Sequence, residues 1–386
     1  MEAPIDRLPV EIWQGILLLA IESDRSALFT TTRTPSTFIH FLEQEKYPDK
    51  SYTKYVRCRA TLRQVCRAWN QFLLFTNSWW IHVHGPKYPR QSLDLPSITG
   101  QVPTIKCLSM IITARPCVRS GVNWAFDLLQ RIEVPLISLN LTLSIPSSSS
   151  FTREPHDILV KVGSKTNLRS LRIACPDYNS CGAISFPHLN ANFNDLVSLS
   201  LVNLVMLSTE ELTLPRLEHL HLSRYPKALP LPTKGWVLPR LRHVHIEIPL
   251  TPLYLNSALD FLRRYGSQLE SLFLIQYPSS SGLPYNFWDS FTALQLLGLR
   301  YHVFADRHWN GWTIVPPRTH PFRYLACTEG LEWEKKVDLL RSMWTYHEGV
   351  ALVMENYLIE DIKEEGWRTR VKKVDGILPM RSPDRR

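Results

Sequence analysis

The chain has 386 residues, of which 44% are hydrophobic and 20% charged, with a net charge of +9 at pH 7. These values describe a globular protein with a sizeable core, not a disordered or fibrous one. No stretch reaches the ~18 apolar residues of a membrane span, since the longest candidate, Ile12 to Ile21, contains Gln14, so no membrane partner is expected.

The start, Met1-Glu2-Ala3-Pro4, lacks the basic region of a signal peptide. Seven cysteines with no Cys-x-x-Cys spacing read as reduced thiols, which points to the cytoplasm and/or the nucleus. The positive charge is spread along the chain. Such scattered lysine and arginine more often form a solvating surface than the contact for an acidic partner.

A first helix is expected after Asp6, which serves as its cap, with Pro9 in the first turn and Glu11 at the positive end of the dipole. Leu8, Ile12, Ile16 and Leu19 recur on it at helical spacing. Turn-rich and short apolar pieces follow from Glu22 to Ala60. A long helix is then predicted from a cap at Ser51 through Leu62 and Trp69 to about Asn77-Ser78. Leu62, Val65, Cys66, Trp69 and Leu73 would share its face. Two such short amphipathic elements bury little surface alone and need partners.

The residues Leu8-Pro9-x-Glu11-Ile12 with Ile16-Leu17, followed by Leu62-x-x-Val65-Cys66-Arg67-x-Trp69, resemble an F-box. This is the module that docks substrate receptors on the Skp-type adaptor of cullin-based ubiquitin ligases. Here the two halves are interrupted by an insertion at about residues 22–60, as in fungal-type F-boxes, and Ala27-Leu28-Phe29 is the best candidate for the middle helix. The resemblance implies adaptor-binding roles for Leu8, Pro9, Ile12, Ile16, Leu17, Leu62, Val65 and Trp69. It assigns residues 1–84 to this helical module.

Trp79 to His84 reads as an extended piece leading out of the module, with Trp79 and Trp80 as packing residues at the junction. The stretch 85–104, with prolines at 86, 89, 96 and 103, reads as a linker. From Ile105 a unit of the form apolar-x-x-apolar-x-apolar repeats nine times, beginning at Ile105, Leu136, Leu168, Leu196, Leu217, Leu241, Leu269, Leu294 and Phe322. Successive starts lie 21 to 32 residues apart, near the ~20–29 residue period of leucine-rich repeats. Two units share the approach Leu-Pro-Arg-Leu, at 214–217 and 238–241.

Each unit fits one strand whose last two apolar residues face a common core, and only stacking into a parallel sheet can cover that core. Asn256 to Gly266 is the clearest return helix, whereas Tyr225 to Gly235 is too proline-rich for one. The asparagine that usually follows a leucine-rich-repeat strand is replaced by Leu204 in the fourth unit, so the repeat resembles a degenerate form. An amphipathic helix, Leu331 to Tyr346, and an apolar strand, Val350 to Met354, would cap the open end. A basic tail from 361 to 386 is expected to be disordered.

The fold class is therefore α/β (α+β): an N-terminal helical F-box, then a leucine-rich-repeat-like parallel β/α solenoid with its cap at 105–360. Catalysis finds no support: no phosphate loop, His-Glu-x-x-His or Gly-x-Ser-x-Gly occurs, so neither enzyme nor cofactor is expected. The positions between the apolar ones should form an exposed concave face that binds substrate. There they place Arg172, Ser200, His219, His221, His243, His245, Glu247, Phe273, Arg300 and Tyr324. Four of these are histidines on two consecutive strands; they suit a partner contact better than a metal, since no orienting carboxylate accompanies them.

The expected function is a non-catalytic substrate receptor of a Skp-cullin-F-box ubiquitin ligase. Its partners are the adaptor, through it a cullin, and an unidentified protein substrate. The alternative is an interaction scaffold of the same architecture outside any ligase. A nucleic-acid-binding solenoid is disfavoured, because no basic-aromatic stripe lies on the strand face.

Overall fold

A computed structural model describes residues 9–17, 20, 48–75, 80–84, 107–113, 136–144, 167–175, 182–184, 193–206, 211–223, 235–248, 252–276, 287–300, 316–328, 351–354, 357–359 and 371–373. The chain divides into two units, Met1–Ser180 and Cys181–Arg386.

Among the described residues the first unit opens with three helices: α1 over residues 10–17, α2 from Pro48 to Arg63 and α3 from Arg67 to Phe75. The single long helix expected from Ser51 is thus two helices, the first beginning three residues earlier at Pro48. Its last turn tightens, with Gln64 N–H donating to Thr61 (3.0 Å) and Val65 N–H to Leu62 (3.2 Å). Cys66 then caps α3: its Sγ accepts the Trp69 N–H at 3.5 Å. The break rotates Val65 and Cys66 into solvent, so the shared face with Leu62, Trp69 and Leu73 does not form. Instead Leu17 and Leu73 are buried, and the Trp13 and Phe72 rings meet edge-on at 5.5 Å. The Arg59 guanidinium donates to the Leu73 carbonyl, and Arg63 Nε donates to Asn70 Oδ1 at 2.9 Å, tying α2 to α3.

Four parallel strands complete this unit: β1 Trp80–His84, β2 Cys107–Thr113, β3 Ser138–Ser144 and β4 Ser170–Ala174, each paired with the next. Leu108, Leu139 and Leu171 stand in register, as do Met110, Leu141 and Ile173. The repeat alignment is the sheet register. Strand β1 corrects the sequence reading. Ile81 pairs with Leu108 and Val83 with Met110, so residues 80–84 form a strand of this sheet, and the stretch 85–104 lies outside the described residues. The apolar start is absent there because Ser78 holds that place.

The second unit continues the pattern with β6 Ser198–Val202, β9 His219–Ser223, β11 His243–Ile248, β12 Ser271–Gln276, β13 Leu296–Arg300, β14 Tyr324–Thr328 and β15 Ala351–Met354, all parallel. Leu199, Leu220, Val244, Leu272, Leu297 and Leu325 form one row, each fully buried. Short flanking strands pair aside: β5 Gly182–Ile184 with β7 Leu204–Met206, and β8 Leu212–Thr213 with β10 Trp236–Val237. The architecture is a parallel β-solenoid with few helices among the described residues.

Strands β6, β9, β11 and β13 are each approached by one tight turn whose two apolar ends are buried. Leu196 N–H donates to Phe193, Leu217 to Leu214, Leu241 to Leu238 and Leu294 to Phe291, at 3.0 to 3.3 Å. The strand start is then locked to the preceding coil. The carbonyls of Val197, Glu218, Arg242, Glu270 and Gln295 each accept two N–H groups from the following strand.

Helix α4, Pro252–Tyr265, begins a turn before the expected Asn256, and α5 spans Phe287–Ser290. Gly266 does follow α4. Its requirement is close approach: a Cβ there would stand 1.9 Å from the Ser290 carbonyl oxygen. The Tyr265 hydroxyl donates to the Trp236 carbonyl (2.6 Å) and Gln268 Nε2 to the Leu238 carbonyl (3.1 Å), closing the outer edge of β10.

The predicted helix 331–346 lies outside the described residues. At the C-terminal end β15 pairs antiparallel with β16, Tyr357–Ile359, and β16 with β17, Val371–Lys373. The tail expected to be disordered therefore contributes a strand.

Candidate functional site

Two sets of residues came from the sequence, and they fare differently. Of the adaptor-facing set, Leu8 lies outside the described residues. Pro9, Ile12 and Ile16 on α1 are exposed, as is Val65 in the break between α2 and α3, with Ile12 at 51%, Ile16 at 52% and Val65 at 58%. Leu17 is buried against the helices, and Leu62 and Trp69 are half-buried, so these three pack the module more than they face outward. Val10 and Val56 join the exposed apolar residues; sequence spacing did not single them out.

The strand-face set occupies the predicted register but not the predicted environment. Its rows assemble as expected: Ser198, His219, His243, Ser271, Leu296 and Tyr324 in one, Ser200, His221, His245, Phe273, Gly298 and Ala326 in the next. The face was expected to be open to solvent, and it is not. Ser200 and Ser271 are fully buried, His221 and His243 buried, and even Leu296 is 0% and Phe273 3% exposed. His219, His245, Glu247 and Tyr324 are half-buried. A leucine on an uncovered sheet face would remain partly wet, so this face is covered at Leu296 and its neighbours, though less completely than the leucine face. Alternation in the sequence marks which side each residue takes; it does not say that the second side is left open.

The histidines stack in pairs across β9 and β11. The His219 and His243 rings lie 4.7 Å apart at 15°, and the His221 and His245 rings 4.4 Å apart at 22°. Serines flank them: Ser200 Oγ lies 3.0 Å from His221 Nδ1, and Ser271 Oγ lies 3.1 Å from His243 Nδ1. Phe273 borders His245 at 5.9 Å, and the Ser223 hydroxyl donates to the Glu247 carboxylate. Burial lowers the His219 pKa to about 4. It holds His243 well below the usual histidine range, with the His219 and Arg242 charges adding to the effect. The His219 and His243 rings are thus neutral packing elements near pH 7. Among the described residues no group of three or more His, Cys, Asp or Glu is arranged to hold a metal.

In the first unit the corresponding row is a polar ladder. Arg172 donates to Asn140 Oδ1 at 3.0 Å, and Asn140 Nδ2 to Ser109 Oγ at 3.2 Å. Arg300 ends β13, its backbone opposite Thr328. The sequence reading did not identify the arginines at the turns before the strands, which are exposed; the shared Leu-Pro-Arg-Leu approach was their signal.

The fold and these surfaces define a β-solenoid repeat protein with an N-terminal helical segment. No protein-family model and no curated protein matches this chain. Among solved structures, the crystal structure of a Bacteroides fragilis protein is similar at a TM-score of 0.39 and 12% identity, over 68% of this chain and 76% of that one.

Proposed function

We propose that this chain is the substrate receptor of a Skp-cullin-F-box ubiquitin ligase, with the N-terminal helices as a leucine-rich-repeat protein's F-box and the solenoid as the arm that holds the substrate. The observation that supports the reading is where apolar surface is left uncovered. Of the six exposed large apolar side chains among the described residues, five, Val10, Ile12, Ile16, Val56 and Val65, lie on the N-terminal helices or in the break between α2 and α3, and the sixth is Val237. Three of these five are motif positions of the resemblance. Such surface on short helices indicates a partner that covers it.

In this reading the chain is not an enzyme. The mechanism is proximity: the adaptor and cullin carry the conjugating machinery, and the solenoid raises the effective concentration of substrate lysines beside it. The compartment is cytoplasmic or nuclear.

The test is capture of a recombinant Skp-type adaptor by the full-length chain. Wild type should retain the adaptor. Ile12→Glu with Ile16→Glu should lose it while thermal unfolding stays unchanged, because both side chains already face solvent. Failure of the wild-type chain to retain any Skp-type adaptor would overturn the reading.

A further inference from the structure

With the histidine face closed, the exposed chemistry of the second unit lies elsewhere, along the turns that lead into its strands. The residues three places ahead of the paired positions Ser198, His219, His243 and Ser271 are Asp195, Arg216, Arg240 and Gln268. They are equivalent rungs of successive coils. The two Leu-Pro-Arg-Leu turns therefore set Arg216 and Arg240 side by side, one strand spacing, ~4.8 Å, apart at the backbone.

The leucines of both turns are fully buried while both arginines are exposed. Asp195 pairs with Arg216 at 2.7 Å, Glu270 with Arg242 at 2.9 Å, and Asp260 with Arg263 at 3.3 Å. Arg240 has no ion pair among the described residues. Three residues before it stands Val237, 51% exposed, the sole exposed large apolar side chain among the described residues of this unit. Arg264 adds positive charge from α4, lying 6.0 Å from the Tyr265 ring centroid, whose hydroxyl meets the Trp236 carbonyl.

We propose that this turn edge, centred on Arg240 with Arg216 and Val237 beside it, is a docking surface for an acidic segment of a partner protein. Two guanidinium groups at one strand spacing suit one or two carboxylates, each able to take a forked pair of N–H donors. Val237 offers a neighbouring apolar side chain its contact. A nucleic acid fits less well: the rungs on either side of Arg216 and Arg240 are Asp195 and Gln268, so the basic patch is two residues wide and offers no continuous track for a phosphate backbone. The surface deepens the receptor reading only in calling its occupant a substrate; the recognition chemistry stands without it.

The experiment uses the full-length chain and a fluorescein-labelled peptide of alternating glutamate and leucine, followed by anisotropy. Arg240→Glu should weaken binding by about tenfold or more, and Arg216→Glu with Arg240→Glu by more still. Arg169→Glu changes net charge equally at an exposed turn of the other unit and should stay within about twofold. Wild-type affinity should fall as NaCl rises from about 50 to about 300 mM. Equal loss in Arg169→Glu, or none in Arg240→Glu, would overturn the site. So would an RNA or DNA duplex binding through Arg240 where the peptide does not. Unfolding midpoints of all variants exclude a folding defect. Adaptor capture measured on the same preparations separates the two readings: a chain that binds peptide through Arg240 but no adaptor leaves this surface standing and removes the ligase.

Discussion

The ring of Phe273 occupies the place a side chain at Gly298 would need: a Cβ on Gly298 would stand 2.1 Å from Phe273 Cδ1. The two residues are direct partners across β12 and β13, so the ring lies sideways over its neighbour and not upright from the sheet. The pair is a single packing unit made of one large residue and one missing side chain. Gly298→Ala should destabilise the chain by ~1–3 kcal/mol through overpacking. Phe273→Ala alone should also destabilise, by opening a cavity in the buried face. In the double variant the new methyl has room, so the two losses should sum to more than the combined loss. Denaturant unfolding of the four chains gives that coupling, and simple additivity would mean the ring moves aside freely.

The two sheet faces differ in chemistry, and the second is buried at Ser200, Ser271, His221 and His243 but only half-buried at His219 and His245, which changes what point substitutions should do. Leu220→Ala and Leu272→Ala should each cost ~2–5 kcal/mol, since both side chains are fully buried in the leucine row. Ser271→Ala should cost ~1 kcal/mol through the lost hydrogen bond to His243. Ser271→Leu should cost more than Ser271→Ala, because the fully buried site has no room for the added atoms. If Ser271→Leu were neutral, the second face would be open after all.

Acid should loosen the solenoid. His219 has its pKa lowered by burial from 6.5 to about 4, and His243 is lowered for the same reason first. Between those values the unfolded chain binds protons that the folded chain refuses, so stability is full above pH 6.5 and falls as pH drops toward 4. For His219 alone the loss by pH 4 is about 3 kcal/mol. Chemical denaturation at pH 7.5, 5.5 and 4.5 should show this decline, and a variant carrying His219→Gln and His243→Gln should show a shallower one. Equal slopes would place the titrating groups elsewhere. Between pH 7.5 and 6 the loss from His219 should be about 1 kcal/mol or less, with the larger part falling below pH 6.

Cys66 is a weak cap. Its sulfur receives the Trp69 N–H at 3.5 Å, where an oxygen would make the stronger bond. Cys66→Asp should raise stability by ~0.5–1 kcal/mol, aided by the positive end of α3. Cys66→Ala should lower it by a comparable or smaller amount. Thermal unfolding of the three chains provides the comparison, and a destabilising aspartate would mean that Cys66 is not the cap.

The register of the solenoid was legible because it depends on one recurring physical need: every strand places two apolar residues into the same core, so aligned leucines become paired leucines. Leu199, Leu220 and Leu272 show this directly. The first strand was legible as an extended piece but not as a unit of the repeat, because Ser78 stands in the sequence where the other units begin with an apolar residue. The helix break was illegible because Leu62, Val65, Cys66 and Trp69 keep helical spacing across a turn that no proline or glycine marks. The closed second face was missed for a different reason. Serines and histidines look like solvent residues until they are seen bonded and stacked to one another. The exposed positions on α1 matched the motif, while Leu17 shows that motif membership alone does not separate interface from core.

The paired acceptance of N–H groups by the carbonyls of Val197, Glu218, Arg242, Glu270 and Gln295 makes each coil interchangeable at its seams. A coil removed or duplicated whole presents the same seam to its neighbours, whereas a partial deletion inside a strand shifts every pairing after it. Growth and shrinkage of this lineage by whole coils is therefore structurally cheap, and variation in length collects in the return segments. The steps of 21 to 32 residues between coils leave the register of the paired strands unchanged.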